Sequence, residues 1–276
     1  MKKLLAVLSG LALLASTCPA WSAPVDAFKD LKGSLDIAGG TAHIPVMKAA
    51  AKAIMEANPN IHITVAGGGS GVGVQKVGER LVQIGNTGRA LKDTEIAKYG
   101  LKSFPFAIDG VAVAVNPENA VKFLSKAQLK DIFAGKITNW KEVGGRDAAI
   151  AVYVREDGSG TRETFDGRAI DKTPYLPGAN TVSSNGAMKT AIAQNSDAIG
   201  YVGIGHLDKT VQGVTIDGMV PTQENAASGT YKITRLLYMN TKGEPTGLTK
   251  AFIDYIFSPD GTGFVKKAGY IPYSQK

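Results

Sequence analysis

The segment Arg155-Glu-Asp-Gly158-Ser159-Gly160-Thr161 combines one guanidinium, two hydroxyls and two glycines. Glycine lets the backbone approach a ligand closely, and the start of a helix offers N–H groups and the positive end of the helix dipole. Arginine adds a forked, permanently charged donor that matches phosphate geometry. The segment therefore indicates a receptor for a small tetrahedral oxyanion, although an ordinary capped helix after a strand is the alternative interpretation.

Two further glycine-rich turns have the same setting, each after a predicted strand and before a predicted helix. They are Gly39-Gly40-Thr41 and residues 67–73, which contain Ser70. In an open α/β sheet, ligands bind at the carboxyl ends of strands, where helix N-termini meet. Three such turns would form a cage of N–H and hydroxyl donors, and no metal or other cofactor is expected.

The glycine turns do not match the other chemistries that such turns serve. Residues 67–73 lack the Gly-Lys-Ser/Thr of a phosphate-binding P-loop and the G-x-G-x-x-G dinucleotide fingerprint. Neither Ser70 nor Ser159 has a glycine on both sides at the spacing of a nucleophile elbow. The three histidines show no zinc-ligand spacing, and His43 alone lies inside a glycine turn.

Strand-like and helix-like segments alternate along the chain, which predicts the α/β class. The predicted strands are residues 35–38, 61–66, 82–86, 111–115, 150–154, 199–202 and 231–239. The predicted helices are residues 45–58, 74–81, 125–133, 186–194, 249–257 and 261–267. The chain shows no internal repeat and no low-complexity linker.

The N-terminal residues 1–22 have the pattern of a cleaved export signal. Lys2 and Lys3 precede an apolar stretch that is too short to span a bilayer, and small residues permit cleavage after Ser22 or Ala20. The only cysteine, Cys18, lies in this segment, so the mature chain would have no disulfide. Its setting is a poor lipoprotein signal. We expect an exported, periplasmic protein without a lipid anchor.

Charge gives little support to nucleic-acid binding. Without Lys2 and Lys3, 29 of the 31 basic residues remain against 24 acidic residues, a net charge of +5. The excess is spread along the chain without runs of like charge. A mild positive field of this kind would help to attract small anions.

Taken together, these motifs resemble the periplasmic phosphate-binding proteins of ABC transporters over residues 35–270. The resemblance rests on Gly39-Gly40-Thr41 with Pro45, Gly69-Ser70-Gly71, residues 132–140, residues 155–161, Ala198-Ile-Gly-Tyr-Val202 and Arg235-Leu-Leu-Tyr238. It implies a type II-like fold of two α/β lobes, joined by two crossover strands that form a hinge. One lobe would combine residues 23–110 with 228–276, and the other would be residues 111–227.

The resemblance also implies which residues hold the ligand. The primary set is Thr41, Ala42, Ser70, Arg155, Ser159, Gly160 and Thr161. Further candidates are Gly40, Gly71, Thr87, Arg89, Ser184 and Asn185. The implied function is capture of inorganic phosphate and its delivery to an ABC permease by a monomeric receptor that is not an enzyme.

One position departs from the pattern of the better-known family branch, in which an aspartate accepts the proton of bound hydrogen phosphate. Gly88 stands at that position here, followed by Arg89. Such a carboxylate repels fully ionised sulfate, so its loss weakens the expected discrimination. Asp157 or Glu163 could supply a replacement. A receptor for sulfate or arsenate, a secreted phosphatase, and an anion scavenger or sensor partner remain alternatives.

Overall fold

The computed structural model describes residues 25–273, and the predicted export signal therefore lies outside the described residues. The helices are α1 (Ile44–Ala57), α2 (Gly69–Gly78), α3 (Asp93–Tyr99), α4 (Lys126–Phe133), α5 (Gly160–Arg168), α6 (Asn185–Gln194), α7 (Gln223–Ala227), α8 (Gly247–Phe257) and α9 (Pro259–Lys267). None of the helices within these residues is long and apolar enough to cross a membrane.

The strands alternate with these helices, which confirms the α/β prediction. They are β1 (Gly33–Gly39), β2 (Ile61–Gly68), β3 (Ile84–Thr87), β4 (Leu101–Val115), β5 (Phe123–Leu124), β6 (Ala151–Arg155), β7 (Asn180–Val182), β8 (Ala198–Gly203), β9 (Gln212–Gly213), β10 (Thr215–Ile216), β11 (Thr234–Lys242) and β12 (Ile271–Pro272).

The main sheet has the strand order β2-β1-β3-β11-β4-β8-β6-β7, and β9 and β12 also pair with β4. The pairs β1–β2, β1–β3, β6–β7 and β6–β8 are parallel. From its carboxyl end, β2 continues directly into α2, and short turns lead from β1 to α1 and from β6 to α5. Strands β4 and β11 run antiparallel to each other along residues 101–110 and 234–242. The remainder of β4 pairs with β8.

Two large apolar clusters lie on either side of this crossing. One is built from residues 28–107 and 237–270, and the other from residues 111–233. The β4 strand contributes Phe106 and Ala107 to the first cluster and Val111 to Val115 to the second. Each half of the molecule thus has its own core, and β4 passes from one core to the other. The lobe boundaries given above remain a prediction.

Several predicted bounds were wrong. The predicted strand 111–115 is only the last third of β4, whose first ten residues include Lys102, Pro105 and Asp109 and give no apolar pattern. Helix α2 begins at Gly69, not at residue 74. The glycines form its first turns because its backbone packs against β1 and β3: a Cβ on Gly73 would lie 2.4 Å from the Asn86 carbonyl oxygen. Helix α3 was not predicted.

This close packing gives a direct test at Gly73. Substitution Gly73→Ala places a methyl group against the backbone of Asn86 and Gly39, so we expect a loss of about 1–3 kcal/mol in the free energy of unfolding. The matched control is Gly263→Ala in α9, where a Cβ would meet no atom within 4 Å and where alanine should add about 0.5–1 kcal/mol. Urea denaturation of both variants measures the difference, and equal stability of the two would contradict the packing described here.

Candidate functional site

The three glycine turns converge on a small cavity between the two halves of the molecule. It is lined by Gly40, Thr41, Ala42, His43, Gly69, Ser70, Gly88, Arg155, Ser159, Gly160, Thr161 and Arg235. The first half contributes the turns after β1 and β2, and the second half contributes the turn after β6. No carboxylate is among these lining residues.

The first turn positions Thr41 and Ala42 at the carboxyl end of β1. Gly39 adopts a φ of 122°, and a Cβ there would lie 2.3 Å from the Asn86 carbonyl oxygen, so only glycine fits. Residues Thr41–His43 then form a 3₁₀ turn that leads into α1. The Tyr270 hydroxyl donates to the Ala42 carbonyl oxygen (2.8 Å) and fixes the turn from behind.

The second and third turns meet each other across the cavity. Ser70 lies in the first turn of α2, and Ser159 caps α5 by accepting from the Arg162 N–H (3.3 Å). The Gly71 N–H donates to the Gly158 carbonyl oxygen (3.1 Å), a hydrogen bond that joins the two halves. A side chain on Gly160 would collide with Ser70, since its Cβ would lie 2.4 Å from Ser70 Oγ.

Each of the four lining hydroxyls already accepts a hydrogen bond from the protein. Thr41 Oγ1 accepts from Asn185 Nδ2 (3.1 Å), and Ser70 Oγ accepts from the Gly88 N–H (3.0 Å). Ser159 Oγ accepts from the Arg162 N–H, and Thr161 Oγ1 accepts from Asn185 Nδ2 (3.3 Å). A hydroxyl has one donor and two acceptor positions, so the hydrogen of each group is left to donate into the cavity. The hydroxyls are therefore arranged for an anion.

Arg155 brings a positive charge to the cavity from the end of β6. Its side chain is 1% exposed, and Nε and Nη2 donate to the Glu156 carboxylate (2.9 and 2.8 Å) and to the carbonyl oxygens of Val182 and Ser183. Among the described residues, its buried Nη1 has no hydrogen-bond partner. Leaving a buried charged donor unsatisfied is costly, so Nη1 is a ready contact for a bound anion.

A second guanidinium, that of Arg235 on β11, also lines the cavity but was not among the predicted site residues. Its Nε and Nη2 donate to Asp109 Oδ2 (2.9 and 2.7 Å), and its Nη1 donates to Thr161 Oγ1 (2.9 Å). Burial raises the pKa of Asp109, and the Arg235 charge opposes that rise. The signal that could have located this pair is local: Asp109 lies between Ile108 and Gly110-Val111, and Arg235 directly precedes Leu236 and Leu237, so each charge stands beside apolar residues of its strand.

His43 lines the cavity and is completely buried. Burial and then the Arg235 charge lower the pKa of His43 to about 3. Its imidazole therefore stays neutral at physiological pH and adds no charge to the site. Of the lining residues, His43, Gly69, Gly88 and Arg235 were not predicted as ligand contacts.

The structure brings all seven primary candidates together in the cavity wall, and Gly40 lies there too. Gly71, Thr87, Arg89, Ser184 and Asn185 are not among the lining residues. Asn185 nevertheless contacts the cavity hydroxyls of Thr41 and Thr161. Arg89 lies in an open neighbouring groove, where it pairs with Glu95 (2.7 Å) in its own half and Glu163 (3.0 Å) in the other.

The carboxylates considered as replacements at Gly88 do not line the cavity. The Asp157 side chain is 96% exposed and pairs with Arg162, and Glu163 pairs with Arg89. The space beside Gly88 is taken by Arg235, whose Nη1 would lie 2.7 Å from a Cβ on Gly88. The better-known family branch has an aspartate at the position of Gly88, and in this protein the guanidinium of Arg235 occupies the space beside that position.

Two α/β halves with a small polar cavity between them are the arrangement of two-lobed binding proteins. A family model described as a PBP superfamily domain matches residues 26–260. Among the similar solved structures is a phosphate ABC transporter substrate-binding protein from Clostridium perfringens, crystallised with bound phosphate. Its sequence is 37% identical to this chain, the TM-score is 0.82, and the match covers 88% of this chain and 100% of that one. The crystal structure of an ABC-type phosphate transport receptor from Vibrio cholerae is 34% identical, with a TM-score of 0.68. That match covers 86% of this chain and 99% of the receptor.

Sequence similarity defines the family more narrowly. The phosphate-binding protein PstS of Bacillus subtilis is 44% identical over 243 residues, which are 87% of this chain and 81% of the relative. The chain belongs to the phosphate-binding proteins of the PBP superfamily. The resemblance and the two-lobed α/β fold expected from the sequence are thereby confirmed.

The lowered pKa of His43 predicts a pH dependence of stability. A histidine takes up a proton in the unfolded chain near pH 6.5 but in the native state only near pH 3, so stability is lost as the pH falls through that window. Between pH 7 and pH 5 we expect His43 to account for a loss of about 2 kcal/mol. Substitution His43→Leu should remove this part of the loss, as measured by urea unfolding without ligand at both pH values.

The matched control is His62→Leu, which changes an exposed side chain on β2. It should keep the wild-type difference in stability between pH 7 and pH 5. A His43→Leu protein with the wild-type pH dependence would show that the buried imidazole is not kept neutral by its surroundings.

Proposed function

We propose that this protein captures inorganic phosphate in the interlobe cavity and delivers it to the membrane subunits of an ABC permease. The observation that carries this proposal is the set of four buried hydroxyls that each already accept a hydrogen bond from the protein, beside Nη1 of Arg155, which has no partner among the described residues. The phosphate-bound Clostridium relative supports the choice of anion. The protein is a binding protein and not an enzyme.

The direct contacts in this proposal are the hydroxyls of Thr41, Ser70, Ser159 and Thr161, the guanidinium of Arg155, and N–H groups of Ala42 and Gly160. A phosphate that leaves water must recover its hydrogen bonds, and fixed neutral donors with a guanidinium do so without reorganisation. Helix α5 begins at Gly160, so its N-terminal N–H groups add their dipole.

Capture would close the cleft, because the donors come from both halves. A ligand that contacts both sides stabilises the closed state and shifts the equilibrium towards it. The proposed lobes are residues 23–110 with 228–276, and residues 111–227. The two separate apolar clusters and the passage of β4 between them support this division and a hinge formed by β4 and β11.

The proposed location is the periplasm, reached through cleavage of the export signal at residues 1–22. The lysines and apolar stretch of that segment support this, as does membership in a family whose named relatives serve ABC transport. The receptor would act as a monomer, with no role for nucleic acid. Its closed form would dock on the permease and release phosphate there.

Calorimetric titration tests the function directly. The mature chain should be unfolded and refolded to remove bound ligand, then titrated with phosphate, sulfate and arsenate at pH 6 and pH 8. Tight phosphate binding with no heat from sulfate supports a phosphate receptor. Comparable sulfate binding would make the protein a receptor for tetrahedral oxyanions in general, and no heat from any of the three would refute the proposal. Release of p-nitrophenol from its phosphate ester would instead favour a phosphatase.

Arg155→Ala is expected to weaken phosphate binding by ~2–4 kcal/mol, because a desolvated, charge-assisted contact is lost. The titration above measures it. Arg146→Ala is the matched control, since Arg146 is an exposed arginine of the same half that pairs with Asp197 away from the cavity. A loss of affinity below about threefold for Arg155→Ala would rule out the role given to this side chain.

A further inference from the structure

Arg235 was not among the predicted site residues, but it has the features of a ligand contact. Its side chain is 4% exposed and lines the cavity. A guanidinium has five N–H donors. The three hydrogen bonds to Asp109 and Thr161 use one N–H each on Nε, Nη1 and Nη2, so one donor remains on each terminal nitrogen.

The pairing with Asp109 does not by itself explain why a charge is buried here. A buried ion pair must offset the desolvation of both groups, and replacing such a pair with apolar side chains is often neutral or stabilising. The Asp109 side chain is fully buried on β4, directly opposite Arg235 in the register of the two strands. The carboxylate holds the guanidinium at the cavity wall without itself lining the cavity.

Gly88 provides the space that this guanidinium occupies. A Cβ at residue 88 would lie 2.7 Å from Nη1 and 3.1 Å from Cζ of Arg235, so a larger residue would force the guanidinium to move. The Gly88 N–H is also fixed, because it donates to Ser70 Oγ. The part of the cavity wall beside Gly88 is thus formed by hydrogen-bond donors, the Arg235 guanidinium and the Gly88 N–H.

We propose that Arg235 donates directly to the bound anion at the corner left open by Gly88, as a second guanidinium beside that of Arg155. This inference rests on the proposed phosphate-binding function and adds a contact to the same site. Arg235 lies near the start of β11, where the chain passes from Ile233 in the second apolar cluster to Leu237 in the first, and it donates to Thr161 of the second half. Its contact with the anion would therefore join the hinge strand, the ligand and the second half.

The substitution Arg235→Gln alone would leave the Asp109 carboxylate buried without its partner, which can destabilise the fold. The double variant Arg235→Gln/Asp109→Asn replaces the ion pair with two neutral amides that can hydrogen-bond to each other. We expect this double variant to fold, as judged by circular dichroism and thermal unfolding. Its phosphate affinity should fall by about 30-fold or more, the scale of losing a buried charged contact.

Arg168→Gln is the matched control. Arg168 lies in the open groove that Arg235 also borders, but it is exposed and does not line the cavity. This control removes one positive charge from the same side of the molecule and should leave phosphate affinity within about twofold. A folded double variant that binds phosphate within about threefold of the wild type would overturn the proposal.

A crystal structure of the phosphate-loaded wild type separates direct contact from an effect transmitted through Thr161. We expect Nη1 or Nη2 of Arg235 within about 2.7–3.2 Å of a phosphate oxygen. If both terminal nitrogens of Arg235 lie beyond hydrogen-bond distance of every phosphate oxygen and only Thr161 contacts the ligand, the proposed direct contact is wrong, even if the double variant binds phosphate more weakly. Wild-type protein that binds no phosphate would refute the proposed function itself, which distinguishes that failure from the failure of Arg235 alone.

Discussion

Removal of the anion from water is the physical constraint on which the site depends. A buried oxyanion is tolerated only where donors surround it, and no single turn of chain can surround a tetrahedral ion. Three strand ends on two halves of the molecule are therefore brought to one cavity. The hydroxyls there must also be oriented before the ligand arrives, which explains the buried Asn185: its Nδ2 donates to Thr41 and Thr161, and its Oδ1 accepts from the Gly203 N–H.

The same constraint governs the charges. Two guanidiniums facing an empty cavity would repel each other and be poorly solvated, and each is paired with one carboxylate behind it. The two pairs differ in burial, since the Glu156 side chain is 28% exposed whereas that of Asp109 is fully buried. Solvent screens the first pair more effectively than the second. The attraction between Arg235 and Asp109 is therefore the stronger of the two.

The parts of the site that sequence could predict are those encoded locally. A strand, a glycine turn and a helix start are contiguous, so Thr41, Ser70 and residues 155–161 could be assigned from their neighbours alone. Arg235 could not be assigned in this way, because its partner Asp109 is 126 residues away and the space it fills is created by Gly88. The start of α2 was misplaced for a related reason: glycines that resemble a loop are required by packing against β1 and β3, which only the tertiary structure reveals.

The contacts that join the two halves near the cavity are few and polar. They include the Gly71–Gly158 hydrogen bond, the Asn185–Thr41 hydrogen bonds and the Arg89–Glu163 ion pair. Each such hydrogen bond contributes about 0.5–1.5 kcal/mol net, and a partly exposed ion pair contributes about 1 kcal/mol or less. Closure of the proposed hinge without ligand would thus be only marginally favourable. A ligand that adds several charge-assisted contacts across the same gap can therefore decide between the two states, which is what a receptor needs to report that it is loaded.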